Sequence, residues 1–186
     1  GAALLMLASV SYGAIRGGVM TDLGTLPGRA NSLPFGINNA GQIVGSSSIP
    51  GQNGFLHSGG TMSSLAPLFT ALGLNGAGQV VGEVVDSTGS NDRAVIWSGG
   101  QVTTLDTLGG NRAGASAINS GGGVVGWSQT GQNFPNSTTP MTHPFYYDGS
   151  TVRDLGTLGG GDGEALAIND KGQIFGWTTT RMPNYP

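Results

Sequence analysis

The chain is predicted to be all-β, a repeat protein of about four β-propeller-like, four-stranded blades, on three observations. An Asn-x-x-Gly element recurs four times along its 186 residues. Between the copies lies a second recurring block, in which an apolar or aromatic run meets two small residues and ends at a leucine. The 36 glycines, finally, fall at fixed places among Val, Ile and Leu, as in short strands joined by glycine turns.

The first element reads Ile37-Asn38 to Gly41, Leu74-Asn75 to Gly78, Ile118-Asn119 to Gly122 and Ile168-Asn169 to Gly172. An apolar pair and a glycine follow each copy: Ile43-Val44-Gly45, Val80-Val81-Gly82, Val124-Val125-Gly126 and Ile174-Phe175-Gly176. Seven residues separate the asparagine from the closing glycine every time. Asn and Gly accept positive φ at little cost, so the element predicts a hairpin turn between two strands.

The strand before each asparagine is predicted to be the innermost of its blade. Two and four residues ahead of the asparagine stand Gly36 and Pro34, Gly73 and Ala71, Ala117 and Ala115, Ala167 and Ala165. The positions between carry Ile37 and Phe35, Leu74 and Leu72, Ile118 and Ser116, Ile168 and Leu166. One face is thus small and the other mostly large, with the period of a strand, and small faces suit strands converging on a crowded axis.

The second block reads Phe55-Leu56-His57-Ser58-Gly59-Gly60 to Leu65, Ala94-Val95-Ile96-Trp97-Ser98-Gly99-Gly100 to Leu105, and Phe145-Tyr146-Tyr147-Asp148-Gly149-Ser150 to Leu155. It predicts a second hairpin in each unit. The N-terminal stretch fits the same template, with Ile15 at the aromatic position, Gly17-Gly18 at the turn and Leu23 at the end. The units then lie near residues 24–65, 66–105 and 106–155, with a fourth formed by 156–186 plus 12–23, in one domain over 12–186. Closed propellers commonly complete one blade with strands from both termini, leaving no sheet edge open. The expectation is therefore a closed four-bladed ring, the alternative an open β-repeat array or propeller fragment.

One connection varies in length. From the closing glycine to the next apolar strand there are 10 residues in the first unit (Gly45 to Phe55), 13 in the second (Gly82 to Val95) and 19 in the third (Gly126 to Phe145). Variable rims carry binding loops in repeat proteins, so the segment Trp127 to Thr142 is the candidate ligand surface.

Composition narrows the classes of function. No cysteine is present, which excludes disulfides and thiolate chemistry. Charged residues make up 9% of the chain and Lys171 is its sole lysine, too sparse a basic surface to collect phosphates, so nucleic acid is not expected as a partner. The apolar run Ala2 to Ala8, followed by Ser9 and Ser11, is too short to span a bilayer. It fits the apolar region of a secretory signal over residues 1–11, the alternative being a structural strand.

The blocks Asp22-Leu23-Gly24-Thr25-Leu26, Leu105-Asp106-Thr107-Leu108-Gly109-Gly110 and Asp154-Leu155-Gly156-Thr157-Leu158-Gly159-Gly160, joined to the Ile-Asn-x-x-Gly-Gln-Val/Ile-Val-Gly hairpin, resemble the HAF repeat family of probable extracellular repeat proteins. The resemblance covers roughly residues 12–178. The family's His-Ala-Phe tripeptide is eroded here to Asn53-Gly54-Phe55, Arg93-Ala94-Val95 and His143-Pro144-Phe145. What the resemblance implies is an extracellular, bacterial address, without an established chemistry.

Candidate site residues follow from the rim. Trp127 and Trp177 succeed the closing glycine in the third and fourth units, where Ser46 and Glu83 stand in the others, and with Asn133, Phe134 and His143 they are the ligand-binding candidates. Catalytic candidates are Asp22, Asp106, Asp154 and His143, whose convergence in one pocket would suit a hydrolase; Asp22 and Asp154 alternate with Ser64 and Thr104 and so also read as turn caps. No cofactor is expected; Asp162 with Glu164, and Asp86 with Asp92, are the places a Ca²⁺ would find carboxylates. Three functions compete: a secreted non-catalytic module binding a glycan, surface polymer or protein; an extracellular hydrolase of a polysaccharide or ester polymer; and a fibre subunit. A closed ring would run as a monomer and an open array as a polymer.

Overall fold

A computed structural model describes residues 4–7, 19–48, 53–67, 70–85 and 91–180, and every regular element among them is a strand. The N-terminal pair is β1 (Leu4–Leu7) and β2 (Val19–Asp22). The first unit follows as β3 (Asn31–Ile37), β4 (Ile43–Ser48), β5 (Asn53–Ser58) and β6 (Thr61–Ser64). The second is β7 (Thr70–Leu74), β8 (Val80–Val84), β9 (Arg93–Ser98) and β10 (Gln101–Thr104). The third is β11 (Gly109–Ile118), β12 (Val124–Asn133), β13 (Pro140–Tyr147) and β14 (Val152–Asp154), and β15 (Gly159–Ile168) with β16 (Ile174–Thr180) form the first hairpin of a fourth.

Each unit is an antiparallel meander in chain order, β3-β4-β5-β6, β7-β8-β9-β10 and β11-β12-β13-β14, as the two recurring blocks predict. A single parallel pairing, Thr142 with Asp162, joins the fourth unit's hairpin to the third unit's sheet. None of the sheets closes on itself. Among the described residues β2 pairs with β1, and neither pairs with β15 or β16, so the expected two-plus-two blade is not formed and the row of units is open. The reading of Ile15 and Gly17-Gly18 as strand and turn lies outside the described residues.

The Asn-x-x-Gly turns are hairpins, each closed by Asn38 N–H on Gln42 O (3.1 Å) and Gly41 N–H on Asn38 O (3.0 Å) or by their equivalents. The glycines Gly41, Gly78, Gly122 and Gly172 have φ between +73° and +83°, the conformation that selects glycine there.

Every inner strand departs from strict alternation at one point. A register shift separates Pro34 from Gly36, Ala71 from Gly73, Ala115 from Ala117 and Ala165 from Ala167. This β-bulge turns a carbonyl toward the partner strand, and it explains the closing glycine: a Cβ on Gly45, Gly82 or Gly126 would lie within 2.0 Å of the oxygen of Leu33, Thr70 or Gly114.

The apolar core lies between units rather than within them. Val44 and Leu65 of the first unit pack with Ala71, Val80 and Val95 of the second. Val81, Ala94 and Leu105 of the second pack with Ala113, Ala115, Ile118, Val124 and Phe145 of the third. Leu23 and Leu26, after β2, pack in the same manner on Ile43 and Phe55. Burying a side chain of this size is worth about 1.5–3 kcal/mol, so each seam holds its two units together.

The turn asparagines add a polar ladder. Asn38 donates from Nδ2 to Asn75 O (3.0 Å), Asn75 to Asn119 O (3.1 Å) and Asn119 to Asn169 O (3.2 Å). Each Oδ1 accepts two backbone N–H groups of its own turn in the first, second and fourth units, so one side chain shapes the turn and bridges to the next unit. At the last rung Ser120 N–H also binds Asp170 Oδ1 (2.9 Å), and the bonds from Ser120 hold the Asp170 carboxyl below its ordinary pKa.

Candidate polar and aromatic mouth

Each inner strand carries the asparagine turn at one end. At its other end, one template position is occupied differently in every unit. There β3 and β4 pair Leu33 with Ser46, β7 and β8 pair Thr70 with Glu83, β11 and β12 pair Gly114 with Trp127, and β15 and β16 pair Glu164 with Trp177. The seams that align the turns align these pairs as well, so carboxylates and indoles of successive units become neighbours.

Gly114 has no side chain and Trp127 uses the space. A Cβ at Gly114 would stand 2.6 Å from Trp127 Nε1 and 3.2 Å from Glu83 Oε2, which places indole and carboxylate over the same glycine. Glu164, from the fourth unit, accepts a bond from Ser116 Oγ at 2.9 Å. Asp92 is almost fully buried, its Oδ2 bound by the Arg112 guanidinium, while its Oδ1 has no hydrogen-bond partner. Burial raises the pKa of Glu83 above the ordinary carboxylate range, and the charges of Asp92 and Glu164 act in the same sense against a smaller opposing effect of Arg112 and Thr70. Two carboxylates, an ion pair and an indole thus share one mouth.

Comparison with known proteins finds no matching family model, no matching curated protein and no matching solved structure. The mouth is therefore read from its own chemistry.

The candidates named from sequence are distributed as follows. The segment expected to be a rim loop, Trp127 to Thr142, is a hairpin: β12 and β13 run on until Asn133 pairs with Pro140, and Phe134 N–H closes on Thr139 O at 3.0 Å. The additional residues extend two strands instead of forming a loop. Asn133 is exposed near its tip. Phe134 lies against Gly161, where a Cβ would meet the ring at 2.4 Å, so it packs the hairpin onto the fourth unit. Trp127 belongs to the mouth, and Trp177, about half exposed, lines a cavity of about 340 Å³ with Leu155, Leu158, Ala165, Ile174 and Gly176.

Of the catalytic candidates the structure joins one pair: His143 Nδ1 lies 2.8 Å from Asp154 Oδ2. Ser128 is the register partner of His143, which brings serine, histidine and aspartate onto neighbouring strands. Ser128 is fully buried, however, and its hydroxyl accepts from Leu108 N–H (2.9 Å) and donates to Gln129 O (3.1 Å). Its oxygen is not presented as a nucleophile. Asp22 and Asp154 each cap a turn, through Gly24 N–H (2.9 Å) and Gly156 N–H (2.7 Å). Asp106 is exposed after β10, apart from both.

Among the described residues no three His, Asp or Glu side chains converge as a metal-binding set. Glu164 is turned to Ser116, while Asp162 is tied to Thr178 and Thr179 through its main chain. Asp86 lies outside the described residues. No helix among the described residues is long and apolar enough to cross a membrane. Sequence reasoning passed over Glu83 and Arg112. The available signal for Glu83 was its alignment with Trp127 and Trp177 directly after the closing glycine.

Proposed function

We propose that the chain is a secreted bacterial module that binds a glycan without transforming it, with its four-stranded units acting as propeller-like blades that present the mouth. The observation that carries this reading is the template position after the closing glycine, which carries Glu83, Trp127 and Trp177 in the last three units, with Glu164 on the strand paired to Trp177. Indole faces stack on the apolar faces of sugar rings, and carboxylates accept the hydroxyl hydrogens around them, a combination suited to a neutral polyhydroxylated ligand. A surface polymer or a protein offering such groups would engage the same residues. The secreted address rests on the resemblance to the extracellular HAF repeats.

Glycan-array binding followed by titration calorimetry tests this. Trp127→Ala is expected to weaken binding by tenfold or more, and Glu83→Gln by a smaller factor. A ligand bound equally by both variants would move the site elsewhere. The raised pKa of Glu83 is also what a general acid requires. Saturable release of product from any array ligand would therefore replace binding with hydrolysis.

A further inference from the structure

The two carboxylate oxygens of Asp92 are treated differently by the chain around them. The residue is 2% exposed. Oδ2 takes the Arg112 guanidinium through two of its nitrogens, whereas Oδ1 has no hydrogen-bond partner. A buried carboxylate oxygen without a donor gives up its solvation by water and receives nothing in exchange. The main chain at the seam does not serve it, since Ala113 N–H is spent on the Asp92 carbonyl oxygen at 3.0 Å.

The strand register names a group that can. β8 and β9 pair Glu83 with Ala94 and Val84 with Arg93. Asp92 stands two residues before Ala94 and so falls on the face that Ala94 and Glu83 share, diagonal to Glu83. Diagonal neighbours across an antiparallel pair are within reach when one of the side chains is long. Burial and then the Asp92 charge hold the proton on Glu83, which is the sense expected of adjacent acids. The other groups that face Glu83 have partners of their own. The Thr70 hydroxyl bonds to Glu83 itself, Arg112 is held by Asp92, and Glu164 accepts from Ser116 Oγ at 2.9 Å. Two neighbouring buried carboxylates cannot both ionise without strong repulsion, and a proton held between them replaces that repulsion with a charge-assisted hydrogen bond.

We propose that Asp92 is the positioning residue of the mouth, its Oδ1 accepting the carboxyl proton of Glu83 while its Oδ2 holds Arg112. One proton is shared by the two acids, and one side chain fixes two others. Glu83 turns its hydroxyl to Asp92 and keeps its other oxygen as an uncharged acceptor beside Gly114 and Trp127. One negative charge fewer then faces the ligand, in keeping with a neutral polyhydroxylated molecule. That consequence rests on the glycan reading of the mouth, and the proton bridge itself does not.

A pH titration of the full chain, labelled with carbon-13 at its carboxyl groups and followed by NMR, tests the bridge without a ligand. The Glu83 Cδ and Asp92 Cγ signals are expected to move together through one step above the ordinary carboxylate range. Asp92→Asn removes the charged acceptor and should bring the Glu83 step down by about one pH unit or more. Glu83→Gln keeps an N–H donor for Oδ1, while Glu83→Met keeps only bulk. Below the Glu83 step, the Asp92 signal of Glu83→Gln should therefore match that of the native chain, and that of Glu83→Met should not. This pair decides the matter even where Asp92→Asn does not fold. An Asp92 signal that ignores the Glu83 step would overturn the proposal and leave Oδ1 to a buried water, and equal Asp92 signals in the Gln and Met variants would overturn it as well. Glycan titrations on the same pair keep the two readings apart: Glu83→Met is expected to bind about fivefold more weakly than Glu83→Gln. A shared step in a chain that binds no glycan would uphold the bridge and discard the glycan reading, and independent steps in a chain that binds one would do the reverse.

Discussion

The two ends of the inner strands make different use of the same scaffold. At the turn end, Asn38, Asn75, Asn119 and Asn169 repeat one residue type, and the first three donate to the next unit at 3.0–3.2 Å. At the mouth, the equivalent positions carry Ser46, Glu83, Trp127 and Trp177. In the first two units the turn asparagine has several obligations: its Oδ1 accepts two N–H groups of the turn, and its Nδ2 donates to the turn glutamine and to the next unit. Any other side chain forfeits some of these. The residue after the closing glycine meets no comparable demand from the bulge, which acts on the glycine itself. Constraint and freedom thus lie one residue apart in the chain, as at Gly126 and Trp127.

The sharpest way to break this contrast is to place a methyl group on the constrained side. Gly126→Ala sets a Cβ about 2.0 Å from the Gly114 carbonyl, a backbone atom that cannot yield without undoing the bulge. The expected loss is about 3 kcal/mol in urea unfolding, as for overpacking of a rigid site. Gly131→Ala, whose nearest contact would be 3.4 Å, is the control and should cost well under 1 kcal/mol. Comparable losses would show that the bulge does not dictate the glycine.

The mouth side is probed by pH. Glu83 has a folded pKa raised above its unfolded value, so the folded state holds its proton more tightly. The stability this contributes is fully present below the unfolded value of about 4.3 and is lost as pH rises through the folded pKa. Glu83→Gln, which cannot ionise, should match the native chain at low pH and exceed it in stability above that range. A native chain whose advantage grows with pH would mean that Arg112 rather than burial governs the carboxyl.

Much of the scaffold was legible in the residues. Asn-x-x-Gly at one spacing located the first hairpin of each unit, and the run of apolar residues ending at Leu65, Leu105 and Leu155 located the second. The bulge was not legible, because the small residues on either side of it continue an alternation that looks unbroken. Its trace was the closing glycine, where an added Cβ would lie within 2.0 Å of a carbonyl oxygen in units one to three. The variable connection was located correctly in sequence but misread in kind, since polar residues such as Gln129 to Asn133 extend a strand as readily as a loop once a partner strand is paired beside them. The site was half legible. Trp127 and Trp177 stood out by size, whereas Glu83 and Arg112 acquire meaning only when neighbouring units bring Asp92 and Glu164 beside them. Closure was beyond the sequence, because the same strands and turns repeat alike in a ring and in an open row.

The central claim is that one asparagine both shapes a turn and ties its unit to the next, and a single pair of variants isolates the second role. Asn75→Ala removes the turn bonds and the rung to Asn119, while Asn169→Ala removes the same kind of turn bonds with no onward rung. Unfolding by urea should show Asn75→Ala to be the more damaging by about 1 kcal/mol, the worth of one buried hydrogen bond. Equal losses would contradict the ladder and reduce the asparagines to turn formers alone.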